Sequence, residues 1–418
     1  MNYFRYFNDS YVGEDVPLAT IAENVGTPCY VYSRAMIERH WHVFDAAFEQ
    51  YPHRICYSVK ANSNLAVLDI LVRLGSSFDI VSVGELERVL RAGGNPSNVV
   101  FSGVGKSDFE IRRALDLGIG CINVESQSEL NRVAKVSTEL GTIAPIAIRI
   151  NPDVDPKTHP YIATGLRDNK FGVEIEEAKR MFRQASELKH VEPKGVACHI
   201  GSQLLETHPF IDAVEKVADF LDELFDEDIE LNHIDIGGGF GIRYQEERPP
   251  EPHSYMNAAI KIMERRGWRI PMIIEPGRAI VGNAGVLLTR VEYLKHNDHR
   301  NFAVVDAGMN DLLRPALYRG YHDILPVMRA SERTSNVYDI VGPVCESSDF
   351  LGQNRSLAVA EGDLLVVRSA GAYGFAMSSS YNSRPRPAEV VVDQDHFHIV
   401  RKRETLDQLT EGECLLPG

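Results

Sequence analysis

Between about residue 33 and residue 283, short β-branched runs alternate with longer stretches in which apolar positions recur at helical spacing. Eight runs read as strands: 55–59, 78–81, 99–102, 121–124, 146–150, 196–200, 233–236 and 272–275. The segments 86–92, 110–117, 128–140, 175–188 and 211–225 carry the helical period between them. Strand and helix in strict alternation predict an α/β fold, and eight strands close most simply as a parallel (β/α)8 barrel of the TIM type. Beyond about residue 284 the period changes. The runs 286–291, 302–306, 363–367 and 389–392 are strand-like with little helix between them, so a C-terminal β domain, barrel- or sandwich-like, follows. Residues 27–32 have the same character and are expected to join it. The expected domains are therefore a barrel of 33–283 and a β domain of 1–32 with 284–418.

Composition narrows the function classes. A chain of 418 residues is long enough for a barrel-sized domain and a smaller second one. No apolar run approaches bilayer length, and the first residues show no basic segment leading into an apolar one, so a cytoplasmic protein is expected. The net charge of −15 repels nucleic acid and anionic lipid, and neither is expected as a partner. The six cysteines form no CxxC pair and the histidines no HExxH, and the His40-Trp41-His42 cluster reads as helix decoration; no metal is expected in the chemistry.

In such barrels catalytic groups sit at the carboxyl ends of the strands. There the sequence has Lys60 after the first strand, Arg149 on the fifth, His199 and Ser202 on the sixth, Gly237, Gly238 and Gly239 after the seventh, and Glu275, Pro276, Gly277 and Arg278 at the end of the eighth. A lysine at a strand end is usually solvated or salt-bridged, but one buried in a barrel mouth has a lowered pKa and can condense with an aldehyde cofactor. The glycines form either a tight turn or a close backbone approach to a phosphate, to which Ser202 adds a hydroxyl. They are not a dinucleotide fingerprint, because Ile242 takes the place of its third glycine. His199 is either a hydrogen-bonded core histidine or a ring lying flat against a cofactor. Glu275 either pairs with Arg278 or holds a protonated pyridine nitrogen, which would keep that ring an electron sink.

Taken together, Lys60 within 57–62, the His199 to Ser202 segment, the triple glycine and the Glu275 to Arg278 segment resemble the fold type III pyridoxal-phosphate decarboxylases. The segments 159–165, 169–172, 306–318, 342–349 and 371–374 resemble, more narrowly, the branch acting on meso-diaminopimelate. That resemblance runs along nearly the whole chain. It implies pyridoxal 5'-phosphate as cofactor, carried on Lys60, and decarboxylation of the substrate to L-lysine. It implies that Arg278, Arg314, Tyr318 and Glu346 bind substrate, that Tyr373 touches cofactor and substrate, and that Cys345 delivers a proton from the neighbouring subunit of a homodimer. One departure is Val83, where relatives often have glycine, close to Glu85.

The chemistry agrees with the resemblance, since decarboxylation needs an electron sink, a clamp for the far end of the substrate and a proton donor. A far end with both an amine and a carboxylate calls for arginine and for Glu346. A decarboxylase of simple basic amino acids has no use for the arginines; alanine racemase chemistry does not explain Glu275; a non-catalytic barrel explains neither Lys60 nor Cys345.

Overall fold

The computed structural model describes residues 3–155 and 169–417, and the 159–165 segment lies outside them. The chain forms two compact units. One comprises Glu38–Arg243 and Glu247–Ala279; the other comprises Met1–Ile37, Tyr244–Glu246 and Ile280–Gly418.

The first unit is a closed barrel of eight strands, His53–Ser58, Ser77–Ile80, Val99–Phe101, Cys121–Val124, Ala144–Arg149, Val191–Ala197, His233–Asp235 and Met272–Ile274. Every neighbouring pair is parallel. A parallel strand is buried on both faces, so it reads as an apolar run and not as an alternation. Three of the strand-to-helix turns use one device, Ser-x-x-Glu. Ser82, Ser107 and Ser126 each accept the backbone N–H of the glutamate three residues on, and so start helices Val83–Arg91, Asp108–Asp116 and Gln127–Leu140. Val83 thus only opens a helix. His40, Trp41 and His42 lie on helix Arg34–Ala46.

Small side chains fill one layer of the barrel, where Cys56, Val100, Cys121, Ala147, Ala197 and Ile273 pack together. At the amino-terminal side His233 is buried against Gly195, whose missing Cβ would fall 2.3 Å from the imidazole Nε2. Burial, reinforced by Arg54 and Lys194, pushes the His233 pKa down from 6.5 to about 3. The unfolded chain therefore binds one more proton than the folded one across this window, and stability falls as pH drops from about 6.5 towards 3. His233→Leu should gain stability relative to the wild type by about 1.4 kcal/mol per pH unit through that range. Denaturant titrations at several pH values check this; parallel curves for the two proteins would rule it out.

The second unit is built on a nine-stranded sheet. An interior strand is the N-terminal Cys29–Ser33, fully buried, which pairs antiparallel with Gly285–Lys295 and parallel with Ala388–Asp393. The N-terminal run thus joins the C-terminal β structure, with short helices at Arg314–Tyr318 and Leu406–Leu409. No helix among the described residues is long and apolar enough to cross a membrane.

Candidate active site

At the carboxyl end of the first barrel strand, Val59–Ala61 forms a single 3₁₀ turn that carries Lys60. The Lys60 Nζ lies 2.7 Å from Oδ2 of Asp79, a fully buried residue on the second strand that pairs in register with Ser58. The lysine is a salt-bridged amine at the mouth, with 37% of its side chain exposed. Ser58 Oγ also donates to Asp79, at 2.9 Å, and fixes the carboxylate from below.

Asp79, Asp235 and Glu275 are all buried here. Asp235 accepts the backbone N–H of Gly237 at 2.9 Å. Glu275 accepts weakly from Ser102 Oγ at 3.4 Å, and Asn123 Nδ2 reaches Ser102 Oγ at 3.1 Å and Asp235 at 3.4 Å. Burial and mutual repulsion push both Asp235 and Glu275 upward. Such a pair is matched to a cationic N–H placed against Glu275. Arg149 completes the polar floor, paired with Glu125 at 3.0 Å and lying over the Phe171 ring.

The sixth strand ends at Ala197, so His199 and Ser202 lie in the loop after it and not on the strand, as the sequence suggested. Pro193 and a register shift between it and Gly195 explain the difference: the strand starts earlier than β-branched content indicates. His199 Nδ1 accepts the N–H of Gly238 at 3.1 Å, which leaves any ring proton on Nε2. Desolvation and the Arg149 and Lys60 cations hold its pKa well below 6.5, so the ring is neutral.

The glycines face backbone directly. A Cβ on Gly238 would fall 2.1 Å from the Glu275 carbonyl oxygen and one on Gly239 2.1 Å from that of Gly201; Gly237 and Gly239 also have φ of +71° and +91°. On the eighth strand's side, the Pro276 carbonyl accepts from Ser58 N at 3.2 Å, and Gly277 packs against Ser58 and Ala61, leaving no room for a side chain. Arg278 donates to Ser202 Oγ at 3.0 Å. A side-chain-free loop beside a hydroxyl and a guanidinium suits a phosphate; with an amine at Lys60 and an acid at Glu275, the donor set fits pyridoxal phosphate.

The remaining sequence candidates belong to the second unit. Arg314 is buried at the start of helix Arg314–Tyr318, with its guanidinium 4.6 Å above the Tyr244 ring. Tyr318 ends that helix and is half-buried, as is Tyr373, whose φ is +55°. Cys345 and Glu346 are exposed. Their loop is pinned by the buried Asp349, which accepts from Met309 N at 2.6 Å and Val344 N at 2.7 Å. Cys345 N donates to Asn382 Oδ1 at 2.9 Å, and Glu346 accepts from Tyr381.

The barrel thus brings together Lys60, His199, Ser202, Gly238, Gly239 and the Glu275 to Arg278 segment, while Arg314, Tyr318, Cys345, Glu346 and Tyr373 lie in the other unit. Sequence reasoning passed over Asp79 and Asp235. Their signal was present, since a carboxylate between apolar neighbours inside a run short enough to be a fully buried strand needs a partner there.

Comparison with known proteins gives a consistent picture. The family described as "Pyridoxal-dependent decarboxylase, pyridoxal binding domain" matches residues 34–282. A diaminopimelate decarboxylase of Vibrio cholerae is 57% identical over 418 residues, spanning 100% of both chains. One of Pseudomonas aeruginosa is 55% identical, again over 100% of both. The crystal structure of the Helicobacter pylori diaminopimelate decarboxylase complexed with L-lysine superposes with a TM-score of 0.91 at 43% identity, covering 94% of this chain and 98% of that one.

Proposed function

The chain belongs to the pyridoxal-dependent decarboxylase family, and from that premise we infer that it converts meso-2,6-diaminopimelate to L-lysine and carbon dioxide, the last step of lysine biosynthesis by the diaminopimelate route. The observation that carries the reaction class is the barrel mouth, where an amine salt-bridged to Asp79 and the buried acids Asp235 and Glu275 occupy the ends of strands one, seven and eight. The full-length similarity to diaminopimelate decarboxylases carries the substrate. A cytoplasmic homodimer is the form in which we expect it to act.

Pyridoxal phosphate, when bound, supplies the sink for the electron pair that remains when carbon dioxide leaves. Lys60 is the amine that carries it. Glu275 would hold the proton of its pyridine nitrogen, since it is buried at the end of the eighth strand. His199, neutral, can lie against the ring without repelling that positive charge. Ser202, Gly238, Gly239, Pro276, Gly277 and Arg278 hold the phosphate end. On the substrate, Arg278, Arg314 and Tyr318 take carboxylate, Glu346 takes the far ammonium, and Tyr373 contacts both substrate and cofactor. Cys345, from the partner subunit, returns a proton to the carbon that lost its carboxylate, so that each turnover replaces one carboxylate with one hydrogen.

The experiment is a substrate panel: protein with pyridoxal phosphate is given meso-diaminopimelate, ornithine, arginine and lysine, and the products are identified. Only diaminopimelate should be decarboxylated at an appreciable rate. Arg314→Lys should lower kcat/KM for it by about 10-fold or more, because a point charge cannot reproduce a planar two-bond fork. Turnover of ornithine or arginine at a comparable rate would refute the assignment, and unchanged kinetics in the variant would make Arg314 structural.

A further inference from the structure

We propose that His322 is a positioning residue for substrate selection, a neutral acceptor that holds the Arg314 guanidinium in one orientation over the Tyr244 ring. The inference rests on reading Arg314 as an arm that takes a substrate carboxylate. His322 has no exposed surface, and its Nε2 lies 2.8 Å from Nη1 of Arg314. Its Nδ1 lies 2.8 Å from the carbonyl oxygen of Arg368. Arginine can only donate and a carbonyl can only accept. The neutral tautomer with its proton on Nδ1 is therefore the one that satisfies both contacts.

The chain path makes this arrangement local. After helix Arg314–Tyr318 the backbone turns at Arg319, whose φ is +53°, and Gly320 N bonds back to the Arg314 carbonyl at 3.2 Å. That reversal brings His322 under the arginine eight residues before it. Arg355 Nη2 holds the His322 carbonyl at 3.0 Å, and the His322 ring meets Tyr244 edge-on, with centroids 5.4 Å apart. The guanidinium is thus fixed by a ring face on one side and an imidazole nitrogen at one corner.

Two consequences follow for recognition. An arginine side chain held in one rotamer has less freedom to lose when it meets a carboxylate, and its planar fork is set before the substrate arrives. An imidazole also orients the guanidinium without cancelling its charge, whereas a carboxylate in that place would compete with the substrate's own.

The test uses the holoenzyme with three substitutions, His322→Leu, His322→Gln and His322→Asn. Leucine fills the space without an acceptor, the glutamine amide oxygen reaches the Nε2 position, and asparagine reaches only the Nδ1 position. His322→Leu and His322→Asn should raise KM for meso-diaminopimelate by about tenfold, the equivalent of about 1.4 kcal/mol, with kcat within about twofold and the cofactor absorbance unchanged. His322→Gln should keep KM within about threefold of the wild type. On an Arg314→Ala background, His322→Leu should change KM by less than about twofold, since the effect runs through the arginine. If leucine does not fold, asparagine replaces it in every comparison. Equal losses in glutamine and asparagine, unchanged KM in both, or full additivity with Arg314→Ala would overturn the proposal. A wild-type enzyme for which Arg314→Ala leaves KM unaltered would instead refute the reading of Arg314 itself.

Discussion

Lys60→Ala is expected to abolish decarboxylation, with a fall of at least about 10³-fold, and to remove the covalent adduct that borohydride traps between protein and pyridoxal phosphate. The barrel also holds a buried lysine, Lys106, and its surroundings show why it is not the carrier. Lys106 Nζ is only 1% exposed and lies 2.7 Å from each of three acceptors, the carbonyls of Gly103 and Asn123 and the Glu129 carboxylate. An ammonium has three protons to donate, and all three are used. Lys60, by contrast, stands at the mouth with a carboxylate that can hold it in position and an open side towards solvent. Peptide mapping of the reduced wild type should find the label on Lys60. A label persisting at the barrel mouth of Lys60→Ala would move the carrier role elsewhere.

Mixing Lys60→Ala with Cys345→Ala should restore activity that neither protein has alone. If Cys345 works in the partner's site, a mixed dimer contains one site with both lesions and one with none. Random exchange makes half of the dimers mixed, and half of their sites are intact, so about a quarter of wild-type activity returns. If both residues serve one chain's own site, every site stays damaged and nothing returns. The exposure of Cys345 and Glu346, on a loop pinned by Asp349, is what a partner-facing segment requires. A partner surface would also exclude water from the reacting carbon. Exchange must be demonstrated independently, for instance with differently tagged subunits, and each single variant must be folded and clearly defective.

The architecture was legible because strands buried on both faces leave apolar runs, and Cys121–Val124 was found to the residue. Where burial is not the reason a segment is extended, the signal fails. The first strand begins with His53 and Arg54, and the sixth with Val191, Glu192 and Pro193, so hydrophobicity placed both too late. Lys60, His199 and Glu275 stood out as polar residues following apolar runs. Asp79 and Asp235 sit within such runs, and the pairings that explain them are tertiary: Asp79 with Lys60 from the neighbouring strand's end, and Asp235 with Asn123, 112 residues away. His322 was invisible for a different reason, since only the local reversal at Arg319 reveals that it lies under Arg314, eight residues before it.

Three consecutive glycines are commonly taken for a hinge, yet in this barrel Gly237, Gly238 and Gly239 are wedged against the carbonyl oxygens of Cys198, Glu275 and Gly201. The loop is a seam that stitches together the ends of the sixth, seventh and eighth strands, and its rigidity comes from what its residues lack. A methyl group there could not be accommodated by a rotamer change, because the obstacle is backbone. Mutational tolerance along this stretch should therefore run opposite to what side-chain content suggests, with the barest positions the least replaceable. The same stiffness means that an anion docking at this end of the barrel meets a surface already in its final shape, and little ordering remains to oppose its binding.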